Sequence, residues 1–376
     1  MKVCHFITGL GDGGAEAALL RLITHSPDHR HLVVSLTNGG RHVSTLRETG
    51  TEVVQLDLKS PVGVVNTPTA LGRIRAFDPD LVQSWMYHAN LVGAGIARWI
   101  LRVPNAWGIH NSGIDVADAA LRAKAAFALS KRLSRGLPDL KISCSSRARE
   151  RLIATGFDPL NWEVIPNGYD LSEFIFRPTS RAAIRRELGV ADGDFLIGMV
   201  ARWHPDKGHA VLFAALRRLF QGDSQRVNVL LAGPGMSRDN VALGKALREH
   251  DLCDRILLLG PVTDVAGTMS ALDLLVMPSA REAFPNVVCE ALACETPVVC
   301  TDAGDAAEII GPLGRTVRPG DVDGLAASVS EMVTFRDKRD AWHNLRIAGR
   351  RRMEQLFTID RMVARYEAAW DGLVSG

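Results

Sequence analysis

Apolar and polar positions alternate along this chain in two rhythms. Short runs of aliphatic and β-branched residues recur, separated by longer stretches whose apolar residues return at helical spacing. Twelve such runs read as strands. In the first half they are Lys2–Thr8, His31–Thr37, Glu52–Leu58, Asp80–Trp85, Asn105–His110, Lys141–Ser146 and Glu163–Pro166; in the second, Leu196–Arg202, Asn228–Gly233, Ile256–Gly260, Leu274–Pro278 and Pro297–Thr301. Most are continuously hydrophobic, as parallel strands covered on both faces must be. Strand alternating with helix predicts doubly wound α/β sheets, and a dozen strands exceed what one such sheet commonly holds. The turn-rich segment Ile165-Pro166-Asn167-Gly168-Tyr169-Asp170 marks a boundary, giving domains 1–170 and 171–358. A last amphipathic stretch places Met362, Val363, Tyr366, Ala369 and Trp370 on one helical face. It predicts a helix over Ile359–Leu373.

A length of 376 residues agrees with two domains, and 47% hydrophobic with 23% charged residues excludes a disordered chain. Forty-four Lys and Arg against 42 Asp and Glu leave no basic excess of the kind that marks a nucleic-acid binder. No long uncharged apolar run is present, and the chain opens directly on a strand-like run without a signal-peptide layout, so a cytoplasmic protein is expected. The six cysteines form no CxxC pair and read as buried free thiols. Charge is distributed unevenly, however. Between His88 and Arg151 eleven basic residues face four acids, a net +7. The stretch 121–137 carries Arg122, Lys124, Lys131, Arg132 and Arg135 with Phe127, Leu129 and Leu133 interleaved. It fits either a solvated helix face or one lying on an anionic membrane at the inner surface of the cell.

Ligands of open α/β sheets bind beyond the carboxyl ends of strands, so chemistry is sought there. After the first strand, Gly9, Gly11 and Gly14 fit G-x-G-x-x-G. The second strand ends without the acid a dinucleotide ribose needs, so a loop approaching another anion or a sugar, or a plain tight turn, competes with cofactor binding. Arg202 ends a strand and Lys207 opens a helix; together they suit a diphosphate. In the run from Met277 to Ala293, Pro285 suits a helix's first turn, Glu282 lies in the preceding loop and Glu290 one turn in. The amides of Asn286 and Val287 then offer an anion-binding N-terminus, with carboxylates for sugar hydroxyls on either side. The plain alternative is a self-capped helix with Glu290 in solvent. His110 closes one strand and His88 follows another; each can donate a hydrogen bond or shuttle a proton, or is a plain core or surface histidine. Asp78-Pro79-Asp80 mimics a metal-binding D-x-D but precedes its strand. No P-loop or nucleophile elbow is present.

Taken together and in order, these elements resemble the family-4 retaining glycosyltransferases of GT-B fold. The resemblance is carried by Glu282 and Glu290 at E-x7-E spacing, Pro278-Ser279, Phe284-Pro285, Arg202 with Lys207-Gly208, Ile165-Pro166-Asn167-Gly168, Gly13-Gly14, and Gly304 with Glu308. The segments Trp85-Met86-Tyr87-His88-Ala89-Asn90 and Trp107-x-x-His110 are similar to enzymes that build bacterial surface polysaccharides. The resemblance implies two facing Rossmann-like domains, the first binding acceptor and the second donor, with the active site in the cleft between them and the helix at 359–376 packing back on the first domain. It implies that Arg202 and Lys207 neutralise a nucleotide diphosphate without metal or cofactor and that Glu290 holds the ribose. Glu282 would meet the donor sugar and His110 would bond it or stabilise developing charge. Gly13, Gly14, Val262, Asn286 and Val287 would line the donor, and His88 and Asn90 the glycan or polyprenyl-linked acceptor. A GT-B epimerase or phosphorylase, or a non-catalytic glycan-binding scaffold, are the alternatives. Two departures stand out: Ala283 and Glu295-Thr296 occupy positions where the family usually has glycine.

Overall fold

The computed structural model describes residues 1–58, 67–111, 120–221 and 227–375. Asp115 and Asp118 of the +7 segment lie outside the described residues. The chain divides into two compact units, Met1–Gly168 with Ile359–Gly376, and Tyr169–Thr358. The first unit holds β1 Lys2–Ile7, β2 Arg30–Ser35, β3 Glu52–Gln55, β4 Leu81–Trp85, β5 Asn105–Ile109, β6 Leu140–Ser143 and β7 Trp162–Val164. They form one parallel sheet in the order β3-β2-β1-β4-β5-β6-β7. The second holds β8 Phe195–Val200, β9 Val227–Ala232, β10 Ile256–Gly260, β11 Leu274–Met277, β12 Val298–Thr301 and β13 Gly314–Val317. These also run parallel, in the order β10-β9-β8-β11-β12-β13. Both are Rossmann-like. The strand order reverses between β1 and β4 in one sheet and between β8 and β11 in the other, the points where such sheets receive ligands.

Strand β1 shows how the two-residue period builds the first unit. Val3 and Ile7 point into a core shared with Leu19, Val33, Leu81 and Trp85. Cys4 and Phe6 point into the opposite core with Leu32, Val82 and Ile74. The helix Ile359–Val374 closes the first of these cores with Ile359, Met362, Val363, Tyr366, Ala369 and Trp370, all buried. Its apolar stripe therefore covers the face that the amphipathic pattern predicts. Trp370 is fully buried and donates from Nε1 to Gln83 Oε1 at 3.2 Å. Tyr366 stacks on Trp85 with ring centroids 5.8 Å apart.

Beneath that helix lies a chain of hydrogen bonds with only one direction. Trp85 Nε1 can only donate, and its partner at 3.3 Å is His5 Nδ1. The His5 proton must then sit on Nε2, 3.0 Å from His31 Nδ1. The His31 proton in turn sits on Nε2, 3.0 Å from Ser26 Oγ, and that hydroxyl donates to the Leu22 carbonyl at 2.6 Å. Every link requires neutral imidazoles. Burial holds them neutral, pushing His5 well below its ordinary range, with the neighbouring His31 adding to the effect. Burial likewise pushes His31 down to about 4.

Candidate functional site

The second unit gathers its chemistry at the exits of β8 and β11, the two strands flanking its reversal point. After β8 the chain makes a single 3₁₀ turn, Pro205–Lys207, and reverses at Gly208, whose φ is +74°. A side chain there would stand 2.0 Å from the Pro278 carbonyl oxygen, so only glycine lets the two loops approach. The loops are then fastened to each other. Ala280 N–H donates to the Asp206 carbonyl at 2.8 Å. Arg281 donates to the Asp206 carboxylate through Nη2 at 2.6 Å and Nε at 3.2 Å. Lys207 Nζ donates to Glu282 Oε1 at 2.7 Å, with side chains only 23% and 13% exposed.

Thus Lys207 and Glu282, singled out separately from the sequence, form one ion pair. It edges a pocket floored by Met199, Val276 and Met277 and bordered by Ser279 and Val287. Val287 belongs to the helix Asn286–Ala293, whose N-cap is Pro285, one position earlier than the first-turn place expected of it. Pro285 makes no side-chain capping bond to that helix. Asn286, Val287 and Glu290 share one helical face and all are partly exposed. Arg202 is exposed just past β8, and among the described residues it has no hydrogen bond or ion pair. Val262 follows β10, two strands from β8 in the sheet. Ser279, which the sequence reading left without a role, is buried with its Oγ lacking a partner among the described residues. A buried hydroxyl without a partner is costly, and this one lies in the lining of the pocket.

In the first unit the candidates stand at the exits of β1, β4 and β5, three adjacent strands. Gly13 is the N-cap of the helix Gly14–Thr24. The Glu16 carboxylate lies against it, within 2.1 Å of where a Gly13 side chain would begin. Burial raises the Glu16 pKa. His110 has both ring nitrogens buried without partners among the described residues, and its ring lies 5.0 Å from that of Trp85. Burial, reinforced by the Arg21 charge, pushes it down to about 4. A neutral ring can donate one hydrogen bond but carries no charge, which favours the hydroxyl-binding role over the charge-stabilising one. His88 is partly exposed at the start of the helix Tyr87–Ile96. Asn90 is fully buried and donates to the Gly108 carbonyl at 3.3 Å, fastening that helix to β5. Asp78 and Asp80 are tied to Lys2, at the strand ends away from these exits. Among the described residues no three His, Cys, Asp or Glu side chains cluster as metal ligands.

Comparison with known proteins bears on this arrangement. Residues 12–173 match the model described as Glycosyltransferase Family 4, and residues 194–334 that described as Glycosyl transferases group 1. The chain belongs to the family-4 glycosyltransferases. Among relatives of this family-4 chain is the D-inositol 3-phosphate glycosyltransferase of Nocardia farcinica, 32% identical over 52% of this chain and 44% of that protein. A namesake from Mycobacterium tuberculosis is 31% identical over 61% and 45%. The chain thus spans about half the length of the curated relatives it matches. Among solved structures, Anabaena Alr3699/HepE in complex with UDP-glucose superposes with a TM-score of 0.84 at 24% identity, covering 99% of this chain and 100% of that one. WaaG, a glycosyltransferase involved in lipopolysaccharide biosynthesis, gives 0.74 at 15% identity, covering 100% of each. These likenesses establish the GT-B fold.

Both departures of this family-4 chain from the family's glycines find a physical account. Glu295 has φ +59°, the left-handed region where glycine is at ease and other residues are strained. Arg346 offsets that strain by donating to the Glu295 carbonyl at 3.0 Å and to its carboxylate at 3.3 Å. Ala283 is buried, and its carbonyl accepts Asp305 N–H at 3.0 Å. The same carbonyl lies 2.2 Å from where a Gly304 side chain would begin, so the close approach is transferred to Gly304, at φ +57°.

Proposed function

We propose that the protein transfers a sugar from a nucleotide diphosphate donor to a hydroxyl of a glycan or lipid-linked acceptor, retaining the anomeric configuration, in the building of a bacterial surface polysaccharide. The observation that carries this reading is the Lys207–Glu282 pair at the reversal point of the second sheet, beside the start of the helix Asn286–Ala293. In the resting protein each charge satisfies the other. A diphosphate is a stronger partner for Lys207 than one carboxylate, so its arrival draws the ammonium away and frees Glu282 to accept from donor-sugar hydroxyls. Arg202, exposed nearby in sequence, supplies a second cation, and the Asn286 and Val287 amides supply donors. Glu290 accepts from the ribose, and Gly13, Gly14, Val262 and neutral His110 complete the donor contacts. No metal or cofactor enters this reading. Positioning and stabilisation of the departing diphosphate provide the rate, and that phosphate assists attack on the same face. The UDP-glucose held by the Anabaena protein supports a UDP-type donor.

The basic helix Leu121–Leu133 supports a peripheral location on the inner face of the cell membrane. Leu121 is 82% exposed and Leu129 46%, beside exposed Arg122, Lys131 and Arg132. No described helix is long and apolar enough to cross a membrane.

The test is a panel of nucleotide sugars watched for slow hydrolysis, followed by transfer assays with product NMR. Lys207→Ala and Glu282→Ala are expected to abolish turnover of whichever donor is used. Near wild-type transfer by both variants, an epimerised free nucleotide sugar, or phosphate-dependent release would overturn the proposal.

A further inference from the structure

The second unit begins at Tyr169 and ends at Thr358, and these two ends lie side by side. Tyr169 N–H donates to the Phe357 carbonyl at 2.9 Å, and Tyr169 and Thr358 form a parallel bridge. Both ends also touch the motif that runs from Glu282 to Glu290. The Tyr169 hydroxyl donates to Asn286 Oδ1 at 2.6 Å, across 117 residues of sequence. The Phe357 ring lies 5.8 Å from that of Phe284. Tyr169 is fully buried, its ring edge-on to Phe174 at 5.7 Å. A phenylalanine would fill the same space. The hydroxyl is therefore explained by its partner, since a buried phenol needs one.

That partner is the first residue of the helix Asn286–Ala293. A carboxamide has an accepting end and a donating end, and a donor fixed on Oδ1 turns Nδ2 the other way. We infer that Tyr169 is a positioning residue: its hydroxyl orients the Asn286 carboxamide so that the amide N–H₂ serves the donor's diphosphate, while Phe357 braces the same helix start through Phe284. The inference rests on the donor-site reading above and adds to it a specific anion contact set by the first residue of the unit.

The experiment titrates wild type, Tyr169→Phe and Asn286→Asp with UDP, GDP and the corresponding nucleosides, alongside thermal melts and transfer kinetics. Tyr169→Phe is expected to weaken diphosphate binding about tenfold and to raise the donor KM with little change in kcat. Nucleoside binding and melting temperature should stay as in wild type. Adding Asn286→Ala to Tyr169→Phe should cost nothing further, because the two residues act as one unit. Asn286→Asp keeps the acceptor for Tyr169 but replaces N–H₂ with an anionic oxygen, and should lose diphosphate at least as severely. The inference is overturned if Tyr169→Phe binds diphosphate as wild type does, if it loses nucleoside and diphosphate alike, or if Asn286→Asp binds diphosphate normally. A wild-type protein that binds neither diphosphate overturns the donor-site reading itself, and this inference with it.

Discussion

Acidification should loosen the first unit by way of the hydrogen-bond chain through His5 and His31. His31 is pushed down to about 4 from an ordinary value of 6.5, chiefly by burial. The folded state therefore binds its proton more weakly than the unfolded chain does. Stability from this group is complete above pH 6.5 and is lost as pH falls toward 4. A depression of about 2.5 units corresponds to about 3.4 kcal/mol at full extent. Between pH 7.5 and 5.0 His31 alone should cost about 2 kcal/mol, since at pH 5 the unfolded chain is protonated and the folded one is not. His5 shifts in the same direction and adds to the loss. Protonating either ring also reverses one link and leaves two donors facing each other, so the helix Ile359–Val374 should release together with β1 and β2. The measurement is urea unfolding at the two pH values, read by hydrogen exchange of peptides from those three elements. In His31→Gln, which accepts and donates without titrating, the pH dependence should shrink by about 2 kcal/mol. Nitrogen-15 NMR of labelled histidines reads the cause directly: both rings should carry the proton on Nε2 at neutral pH. A His31 that titrates near 6.5, or one protonated on Nδ1, would refute the directional chain.

Two further outcomes are expected. Gly208→Ala places a methyl 2.0 Å from the Pro278 oxygen in a left-handed backbone, so it should destabilise the second unit by about 2–4 kcal/mol in denaturant unfolding; a melt superimposable on wild type would show that the two loops are not held as described. Reversing Lys131 and Arg132 to Glu should weaken sedimentation with anionic liposomes at least about 30-fold, from about 1 kcal/mol for each lost positive charge; unchanged sedimentation would retire the membrane contact.

Much of this architecture was legible in the sequence because it rests on local patterns. Among the described residues, continuous apolar runs found every strand but one. The exception, Gly314-Arg315-Thr316-Val317, is an edge strand with no buried residue and one aliphatic side chain, so no hydrophobic run announces it. The buried stripe of the last helix was readable for the opposite reason, since six of its residues recur at helical spacing. Motif spacing located Lys207 and Glu282 but not their pairing. That contact joins two loops 75 residues apart through sheet order, which no local period encodes. Tyr169 with Asn286 was hidden in the same way, and Ser279 differs from any motif serine only in lacking a partner. The strained Glu295 marks a third kind of limit: its compensation comes from Arg346, on another helix.

The two crossings of the chain carry a consequence for biosynthesis. The helix Ile359–Val374 belongs to the first unit yet follows all 190 residues of Tyr169–Thr358. At roughly 5–20 residues per second, about 10–40 seconds of translation separate the last strand of the first unit from the helix that covers it. Throughout that interval Trp85, Gln83 and the His5–His31 pair have neither Trp370 nor Tyr366 above them. The second unit, uninterrupted in sequence, can finish first. The amino-terminal half of this protein is thus made early and completed late, and until it closes its uncovered core is a surface for chaperones.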